Sequence, residues 1–263
     1  MLFRQGTLRR PWRLLILECM SHEHHDPEHH DPEHHDPEHH DHAHQNHDNH
    51  ADATENPYAK ADAQFWNSLY EERPARWSGN PNPQLIAEAS DLAPGTALDV
   101  GCGEGADALW LARRGWKVTG TDISSVALSR AKAHVEGSGV DIEWLEADLT
   151  KWDPQGRSFD LVSAQFFHML EPARGELFRV LGELVAPGGH LLIVGHSPHE
   201  SPTEHHRAML HTPDYVESLF TDGWKVLVSE SRERDLPANP EMHHTTDTVV
   251  LLQRLSASTD SSS

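Results

Sequence analysis

The feature that most constrains the fold is a short apolar strand followed directly by a glycine-rich loop and a helix. Residues 96–100 (TALDV) have the pattern of a buried strand, residues 101–105 (GCGEG) form the loop, and apolar residues at 108–112 follow at helical spacing. Glycines let the backbone pass close to a ligand, and the start of the helix offers free amide groups. This stretch predicts a ligand site at the end of a strand.

Strand-like and helix-like segments alternate along the rest of the chain. Further strands are predicted at 116–121, 142–145, 159–164, 190–194, 225–229 and 248–253. Helices are predicted at 65–70, 83–92, 124–134, 171–185 and 213–220. This alternation implies an α/β fold with a mostly parallel sheet and helices on both faces. Ligands of such sheets bind at the carboxyl ends of the strands, so we expect the site at the ends of the first five strands.

Composition divides the chain into three parts: a segment at 1–56, a domain at 57–255 and a tail at 256–263. Within the first part, residues 21–50 hold nine carboxylates, thirteen histidines and no Lys or Arg. The pentapeptide HHDPE begins at His24 and recurs at His29 and His34. Proline at every fifth residue opposes a helix, and nothing apolar is available for burial. We therefore expect disorder at both ends of the chain.

The repeats pair imidazoles with carboxylates, which are ligands suited to Zn²⁺, Ni²⁺, Co²⁺ or Cu²⁺. One interpretation is a metal-binding tail, and the other is a solvated acidic tail that binds metal only when metal is offered. No fixed ligand set follows from such a repeat. The paired candidates are His24, His25, His29, His30, His34, His35, His39 and His40.

Charge and apolar content exclude several classes of protein. Residues 51–263 hold 17 basic and 32 acidic side chains. This negative charge disfavours binding to the phosphates of nucleic acid. No run of about 18 apolar residues occurs, which argues against a membrane span. The apolar run at 14–17 is too short for a secretory signal, so we expect a cytoplasmic protein. Met1 and Met20 are both candidate starts, and in the second case residues 1–19 would be an upstream extension.

Two ligand classes compete for the glycine loop. Gly101, Gly103 and Ala106 formally satisfy the dinucleotide pattern G-x-G-x-x-G/A. However, Asp99 precedes the first glycine by two residues, which favours a cationic or zwitterionic ligand over a pyrophosphate. Asp122, at the end of the second strand, can bind both hydroxyls of a ribose. A sulfonium amino acid carrying adenosine fits this loop better than a nicotinamide dinucleotide.

Five blocks in order complete this pattern: 97–105 (ALDVGCGEG), 118–124 (VTGTDIS), 146–149 (EADL), 159–162 (FDLV) and 184–189 (LVAPGG). With them, residues 60–255 resemble the class I S-adenosylmethionine-dependent methyltransferases. The resemblance is greatest to the small-molecule branch of tellurite-resistance and thiopurine methyltransferase-like proteins. It implies a Rossmann-like sheet of seven strands, one of them antiparallel.

The resemblance also implies the cofactor site. Asp99 would face the methionine portion, Asp122 would bind the ribose, and Asp148 would accept from the adenine. The alternatives are a turn acid for Asp99 or Asp148 and a helix cap for Asp122. The full set of implied cofactor residues is Asp99, Gly101, Gly103, Gly105, Asp122, Ile123, Asp148, Leu149, Gln165 and Phe166.

Several other side chains have two interpretations. His168, just after the fourth strand, is either a general base or a packed histidine. A group of histidines after the fifth strand is either a surface loop or a substrate lid or metal site: His196, His199, His205, His206 and His211. His243 and His244 in the final hairpin are candidates to meet them. Trp66, Tyr70 and Trp77 either line the pocket or belong to the core, and Cys102 is a small filler.

The functional prediction is a methyltransferase that acts on a small molecule, with a thiol or a metalloid as candidate acceptors. Soft nucleophiles need no general base, so the absence of an obvious base does not argue against the enzyme. A second hypothesis is a metal-handling protein with an accessory methyltransferase domain. A nicotinamide-dependent oxidoreductase is a third. The expected partners are a small molecule and divalent metal ions, without nucleic acid or membrane.

Overall fold

The strands form a single mixed sheet in the computed structural model, which describes residues 61–201, 203–234 and 245–256. The strands are β1 (Thr96–Val100), β2 (Lys117–Asp122), β3 (Ile142–Glu146), β4 (Phe159–Gln165), β5 (Val185–His196), β6 (Trp224–Glu233) and β7 (Thr246–Arg254). Their order is β3-β2-β1-β4-β5-β7-β6. β1 to β5 are parallel, and β7 runs antiparallel to both of its neighbours. The predicted seven-stranded α/β fold is confirmed.

Helices precede and connect the strands. They are α1 (Ala63–Glu71), α2 (Pro83–Ala89), α3 (Ala106–Arg113), α4 (Ser125–Val135), α5 (Ala173–Glu183), α6 (Glu204–Met209) and α7 (Pro213–Ser218), with a 3₁₀ turn at Pro198–Glu200. The expected cap of α4 is present, because the Ser124 side chain accepts a hydrogen bond from the Ala127 amide at 3.1 Å.

The core lies in two layers, one on each face of the sheet. Successive residues of a strand point to opposite faces, so each buried strand contributes to both layers. One layer joins Leu98 and Val162 to Phe178 of α5 and Val216 of α7. The other layer joins strand residues to α2 and α3 through Leu85, Leu109 and Leu111. Because helices cover both faces of the sheet, its central strands are apolar along nearly their whole length.

The fifth strand differs from its prediction. It begins at Val185 rather than at residue 190, and the preceding helix ends at Glu183. A register shift between Phe159 and Leu161 of β4 absorbs the Pro-Gly-Gly segment at 187–189 within the strand. A Cβ at Gly189 would lie 2.9 Å from the Asp160 carbonyl oxygen, so a glycine is needed at this close approach of two backbones.

Helix α6 was missed from the sequence because its six residues lack an apolar repeat. The histidine-rich repeats, both candidate starts, His243, His244 and residues 257–263 lie outside the described residues, and the predictions about them stay predictions. No helix among the described residues is long and apolar enough to cross a membrane.

Candidate active site

The carboxyl ends of the central strands meet at one edge of the sheet. Val100 is in register with Thr121 of β2 and with Ala164 of β4, and Gln165 is in register with Val194 of β5. Three predicted site residues, Asp99, Asp122 and Gln165, therefore lie at the same edge. This is the position at which open α/β sheets bind ligands.

The glycine loop has a backbone that requires glycine. The φ angles of Gly101, Gly103 and Gly105 are 65°, 53° and 83°, all in the left-handed region. Gly105 is the N-cap residue of α3 and supplies no side-chain cap. The loop can therefore fold tightly between β1 and α3, and any other residue would strain it.

Asp122 holds this loop in place. Its carboxylate accepts one hydrogen bond from the Gly103 amide at 2.9 Å and another from the Ser124 amide at 2.8 Å. The helix-cap alternative does not apply, since Ser124 caps α4 with its own side chain. Each carboxylate oxygen retains a lone pair for a further donor.

Three carboxyl groups lie close to the loop, of which Asp99 and Asp122 are buried and Asp107 is half-buried. Burial raises the pKa of Asp99 well above its usual range, and the nearby Asp107 raises this pKa further. Burial raises the pKa of Asp107 to about 6. Burial also raises the pKa of Asp122, although the amides of Ser124 and Gly103 oppose this shift. Such a cluster favours a positively charged ligand, which would stabilise the ionised carboxylates.

Glu104 is a structural residue of the loop that the sequence did not reveal. Its carboxylate accepts hydrogen bonds from the backbone amides of Arg76 and Trp77 at 3.1 and 3.0 Å. The Arg130 guanidinium donates to the same carboxylate at 2.9 Å and also donates to the Tyr70 and Arg73 carbonyl oxygens. The segment between α1 and α2 is thereby fastened to the glycine loop.

Aromatic side chains lie against the loop. A Cβ at Gly103 would lie 3.0 Å from the Tyr70 hydroxyl and 3.1 Å from the indole nitrogen of Trp77, and that indole donates to the Tyr70 hydroxyl. A Cβ at Gly101 would lie 3.0 Å from the Phe167 ring. Tyr70 and Trp77 thus pack against the loop, with Tyr70 buried in the core and Trp77 partly exposed, and Trp66 lies half-buried against Phe65. Their role in lining the pocket stays a prediction.

Two of the three residues predicted to hold adenine have other contacts in the structure. Asp148 accepts from the Thr150 hydroxyl at 2.6 Å and pairs with Lys151 at 2.6 Å, which is the geometry of a turn acid. Leu149 is buried in the core, whereas Ile123 remains half-buried beside Asp122. The adenine roles of these three residues stay predictions.

The end of β4 carries two further candidates. The Gln165 side chain donates to the Ser163 hydroxyl at 2.8 Å. Phe166 has a φ angle of 54°, which is a strained backbone for a residue other than glycine. Strain of this kind is concentrated at functional sites. Cys102 is half-buried, and its sulfur would lie 3.3 Å from a Cβ at Gly120, consistent with a small filler.

The histidines that follow β5 are mostly internal. His196, His206 and His211 are each 3% exposed, so the surface-loop interpretation is wrong for these three, whereas His199 and His205 are exposed. The ring of His168 packs between those of His196 and His206. Within the described residues, no group of three or more His, Cys, Asp or Glu is placed to hold a metal ion.

The donors and acceptors at this edge fit S-adenosylmethionine. Asp99 Oδ2 and Gln165 Oε1 are buried and have no hydrogen-bond partner within the described ranges. Buried acceptors of this kind require a donor, and an ammonium group supplies three. The acid cluster would instead repel the pyrophosphate of a dinucleotide, which argues against the oxidoreductase hypothesis.

Comparison with known proteins gives the same class. Residues 97–189 match the model of a family described as a methyltransferase domain. The chain is 29% identical over 198 residues to a ubiquinone biosynthesis O-methyltransferase of Marinobacter nauticus, covering 71% of this chain and 81% of that protein. It is 38% identical over 120 residues to an uncharacterised methyltransferase of Mycobacterium tuberculosis, covering 45% of this chain and 59% of the relative.

A solved structure supports the fold. The N-methyltransferase NodS of Bradyrhizobium japonicum, in complex with S-adenosylhomocysteine, matches with a TM-score of 0.57 at 17% identity. The match covers 72% of this chain and 97% of that chain. The family model and the relatives by sequence, rather than this likeness of fold, show that the chain is an S-adenosylmethionine-dependent methyltransferase.

Proposed function

We propose that this enzyme transfers a methyl group to an oxygen atom of a small molecule. The observation that carries the methyl-transfer part is the cluster of Asp99, Asp107 and Asp122 around the glycine loop, with the buried and unpartnered Asp99 Oδ2 at its centre among the described residues, which suits a sulfonium cofactor. The O-methyltransferase of Marinobacter nauticus supports oxygen as the acceptor atom. A thiol or metalloid acceptor, typical of the tellurite-resistance and thiopurine branch, is the competing prediction.

Each of the site's side chains has a role in the proposed reaction. Asp99 and Gln165 accept from the ammonium group, and Asp122 accepts from the ribose hydroxyls while it holds Gly103. When bound, S-adenosylmethionine supplies an electrophilic methyl group that needs only an aligned nucleophile and the exclusion of water. Tyr70 and Trp77, which lie against the loop, exclude water from this end of the site.

Cofactor binding tests the first part of the proposal. Calorimetry of the full chain with S-adenosylhomocysteine should show one site, and Asp99→Asn should weaken it at least tenfold because a charged hydrogen bond to the ammonium is lost. Asp91→Asn, an exposed acid outside the site, is the matched control and should bind normally. A full chain that binds no S-adenosylhomocysteine would refute the proposal.

An acceptor screen tests the second part. The full chain with S-adenosylmethionine is incubated with catechol, a small thiol, selenite and tellurite, and methylated products are identified by mass spectrometry. We expect a methyl ether of catechol. Methylation confined to the thiol or the metalloids would contradict oxygen as the acceptor atom, while the enzyme would still be a methyltransferase.

The histidine-rich repeats at 21–50 support a separate proposal, a metal-binding tail. Calorimetry with Ni²⁺ and Zn²⁺ should show several weak sites in the full chain and fewer in a chain that lacks residues 21–50. Equal metal stoichiometry in both chains would contradict metal binding by the tail. The cytoplasmic location also stays a prediction.

A further inference from the structure

Phe166 follows β4 in a backbone conformation that residues other than glycine rarely adopt. Its amide donates to the Val194 carbonyl oxygen at 2.8 Å, so Phe166 still pairs with β5. Its φ angle of 54° then bends the chain away from the strand. A left-handed residue with a Cβ persists only where neighbouring contacts hold it, and such residues are concentrated at functional sites.

The bend sends two successive aromatic rings toward different parts of the site. The Phe166 ring packs against the ring of His196, at the end of β5, with 4.6 Å between the centroids. The Phe167 ring lies 3.0 Å from the position of a Cβ at Gly101, in the glycine loop after β1. Since β4 lies between β1 and β5, the bend joins the cofactor side of the site to the side at β5.

The guanidinium of Arg234 covers the Phe166 ring. Its central carbon lies 4.8 Å from the ring centroid, which is the geometry of a cation–π contact. Arg234 directly follows β6, and its side chain is only 12% exposed. Because cation–π contacts are stronger where water is excluded, this contact favours the ring position that Phe166 has in its left-handed bend.

Two further contacts orient this guanidinium. Its Nε donates to Asp247 Oδ1 at 2.8 Å, and the Asp247 side chain is 3% exposed. Its Nη2 lies 3.1 Å from Nδ1 of His196, the same ring that packs against Phe166. A planar fork can make both contacts while its face lies on the phenyl ring, whereas the point charge of a lysine ammonium cannot.

Backbone contacts fix the point from which Arg234 reaches the ring. The Arg234 amide donates to the Thr245 carbonyl oxygen at 2.7 Å, which closes the base of the β6–β7 hairpin. The Glu200 carboxylate accepts from the amides of Thr245 and Thr246 at 2.8 and 2.9 Å. The segment after β5 and the base of the hairpin are therefore joined beside Phe166.

We propose that Arg234 is a positioning residue of the methyl-transfer reaction. It holds Phe166 in the left-handed bend and thereby sets the place of the methyl acceptor beside Gln165. It acts through the Phe166 ring rather than on the reacting atoms. The inference rests on the proposed function for the side from which the acceptor approaches, and it holds for an oxygen, a thiol or a metalloid acceptor alike.

A small displacement of this bend is enough to slow the reaction. In-line displacement requires the acceptor atom, the methyl carbon and the sulfur to be aligned at close range. The bend follows Gln165 and precedes Phe167, which lies against the glycine loop. Release of Phe166 therefore misaligns the acceptor, while Asp99 and Asp122 keep their places around the cofactor.

The first test is structural and independent of activity. Crystal structures of the full chain with S-adenosylhomocysteine are compared between the parent and Arg234→Lys. We expect a left-handed Phe166 in the parent, and in the variant a Phe166 that leaves this region or whose ring leaves His196. An unchanged Phe166 in Arg234→Lys would overturn the inference, as would a parent in which Phe166 is not left-handed.

The second test is kinetic and uses the acceptor that the screen identifies. Arg234→Lys should lower kcat about tenfold or more through misalignment, while binding of S-adenosylhomocysteine should stay within about twofold. Arg157→Lys is the matched control. Arg157 also pairs with a carboxylate and lies 5.3 Å from a phenyl centroid, that of Phe159, but at the other end of β4. This control should keep the parental kcat.

A double variant separates positioning from a general loss of structure. Phe166→Leu retains an apolar side chain but has no π face, so it should also lower kcat. If Arg234 acts through the Phe166 ring, adding Arg234→Lys to Phe166→Leu should lower kcat little further. Independent effects of the two substitutions would instead multiply.

The outcomes separate this inference from the proposed function. A parental kcat in Arg234→Lys or in Phe166→Leu would overturn the inference, and so would reductions that multiply in the double variant. It would also be overturned if Arg234→Lys weakened S-adenosylhomocysteine more than it lowered kcat, because Arg234 would then act on the cofactor. A parent chain that binds no S-adenosylhomocysteine would contradict the proposed function itself.

Discussion

At the scale of single residues, Glu104 shows how one loop side chain positions a distant segment. It joins the glycine loop to the Arg76 and Trp77 amides and to the Arg130 guanidinium. The partners are 26 to 28 residues away along the chain, so no local pattern in the sequence marks the contact. Its carboxylate is only 10% exposed, and the loss of one acceptor would therefore leave donors unsatisfied.

Glu104→Gln should lower the free energy of unfolding by about 2 kcal/mol, the typical value for hydrogen bonds to a charged group. It should also weaken S-adenosylhomocysteine severalfold, because Tyr70 and Trp77 lose their attachment to the loop. Urea unfolding and calorimetry measure the two effects. Glu136→Gln, exposed just after α4, is the matched control, and equal effects in both variants would contradict this role.

At the scale of elements, the strands next to the glycine loop were predictable, whereas the start of β5 and helix α6 were not. β1 is indicated by its apolar residues before the glycine loop, and β2 by the β-branched residues that precede Asp122, which are local signals. The start of β5 depends on a register shift against β4, and α6 depends on packing of isolated histidines. Both arise from contacts between distant segments.

The turn before α7 packs onto β5 through His211. Neither ring nitrogen of His211 has a hydrogen-bond partner among the described residues, and a Cβ at Gly195 would lie 2.6 Å from the ring. Burial, with a smaller contribution from Arg174, lowers the pKa of His211 to about 3. Between this value and the unfolded value of about 6.5, the unfolded chain binds the extra proton.

Stability should therefore fall as pH drops through this window. Between pH 7.5 and 5.0, His211 should cost about 2 kcal/mol of unfolding free energy. His211→Leu should remove that part of the pH dependence, measured by urea unfolding at both pH values. His199→Asn is the control and should keep the parental dependence; an unchanged dependence in His211→Leu would contradict the prediction.

At the scale of the whole molecule, much of the acid is surface charge, but Asp99, Asp107 and Asp122 form an internal cluster at the site. From the sequence, Asp99 and Asp122 were identified because they end strands next to glycines. Asp107 was not, since an acid in the first turn of a helix is ordinary. Only the fold brings its charge to Asp99.

This cluster should couple cofactor binding to pH. Asp107 has a pKa of about 6, and a cationic ligand favours its ionised form, so binding releases protons. Affinity for S-adenosylmethionine should rise about tenfold from pH 5 to pH 7. Calorimetry in buffers of different ionisation enthalpy measures the release, and Asp107→Asn should flatten the rise. An affinity that falls with pH would contradict the coupling.

The final hairpin has a consequence for how this enzyme can be recombined. Asp247 of β7 fixes Arg234 against His196 and also accepts from the Gln84 side chain at 3.1 Å. Gln84 accepts in turn from Arg232 of β6 at 2.9 Å, and Arg232 pairs with Glu88. A chimera that exchanges the hairpin with that of a related enzyme must therefore exchange residues 84 and 88 of α2 as well. Two segments that lie more than 140 residues apart in the chain must therefore be inherited together.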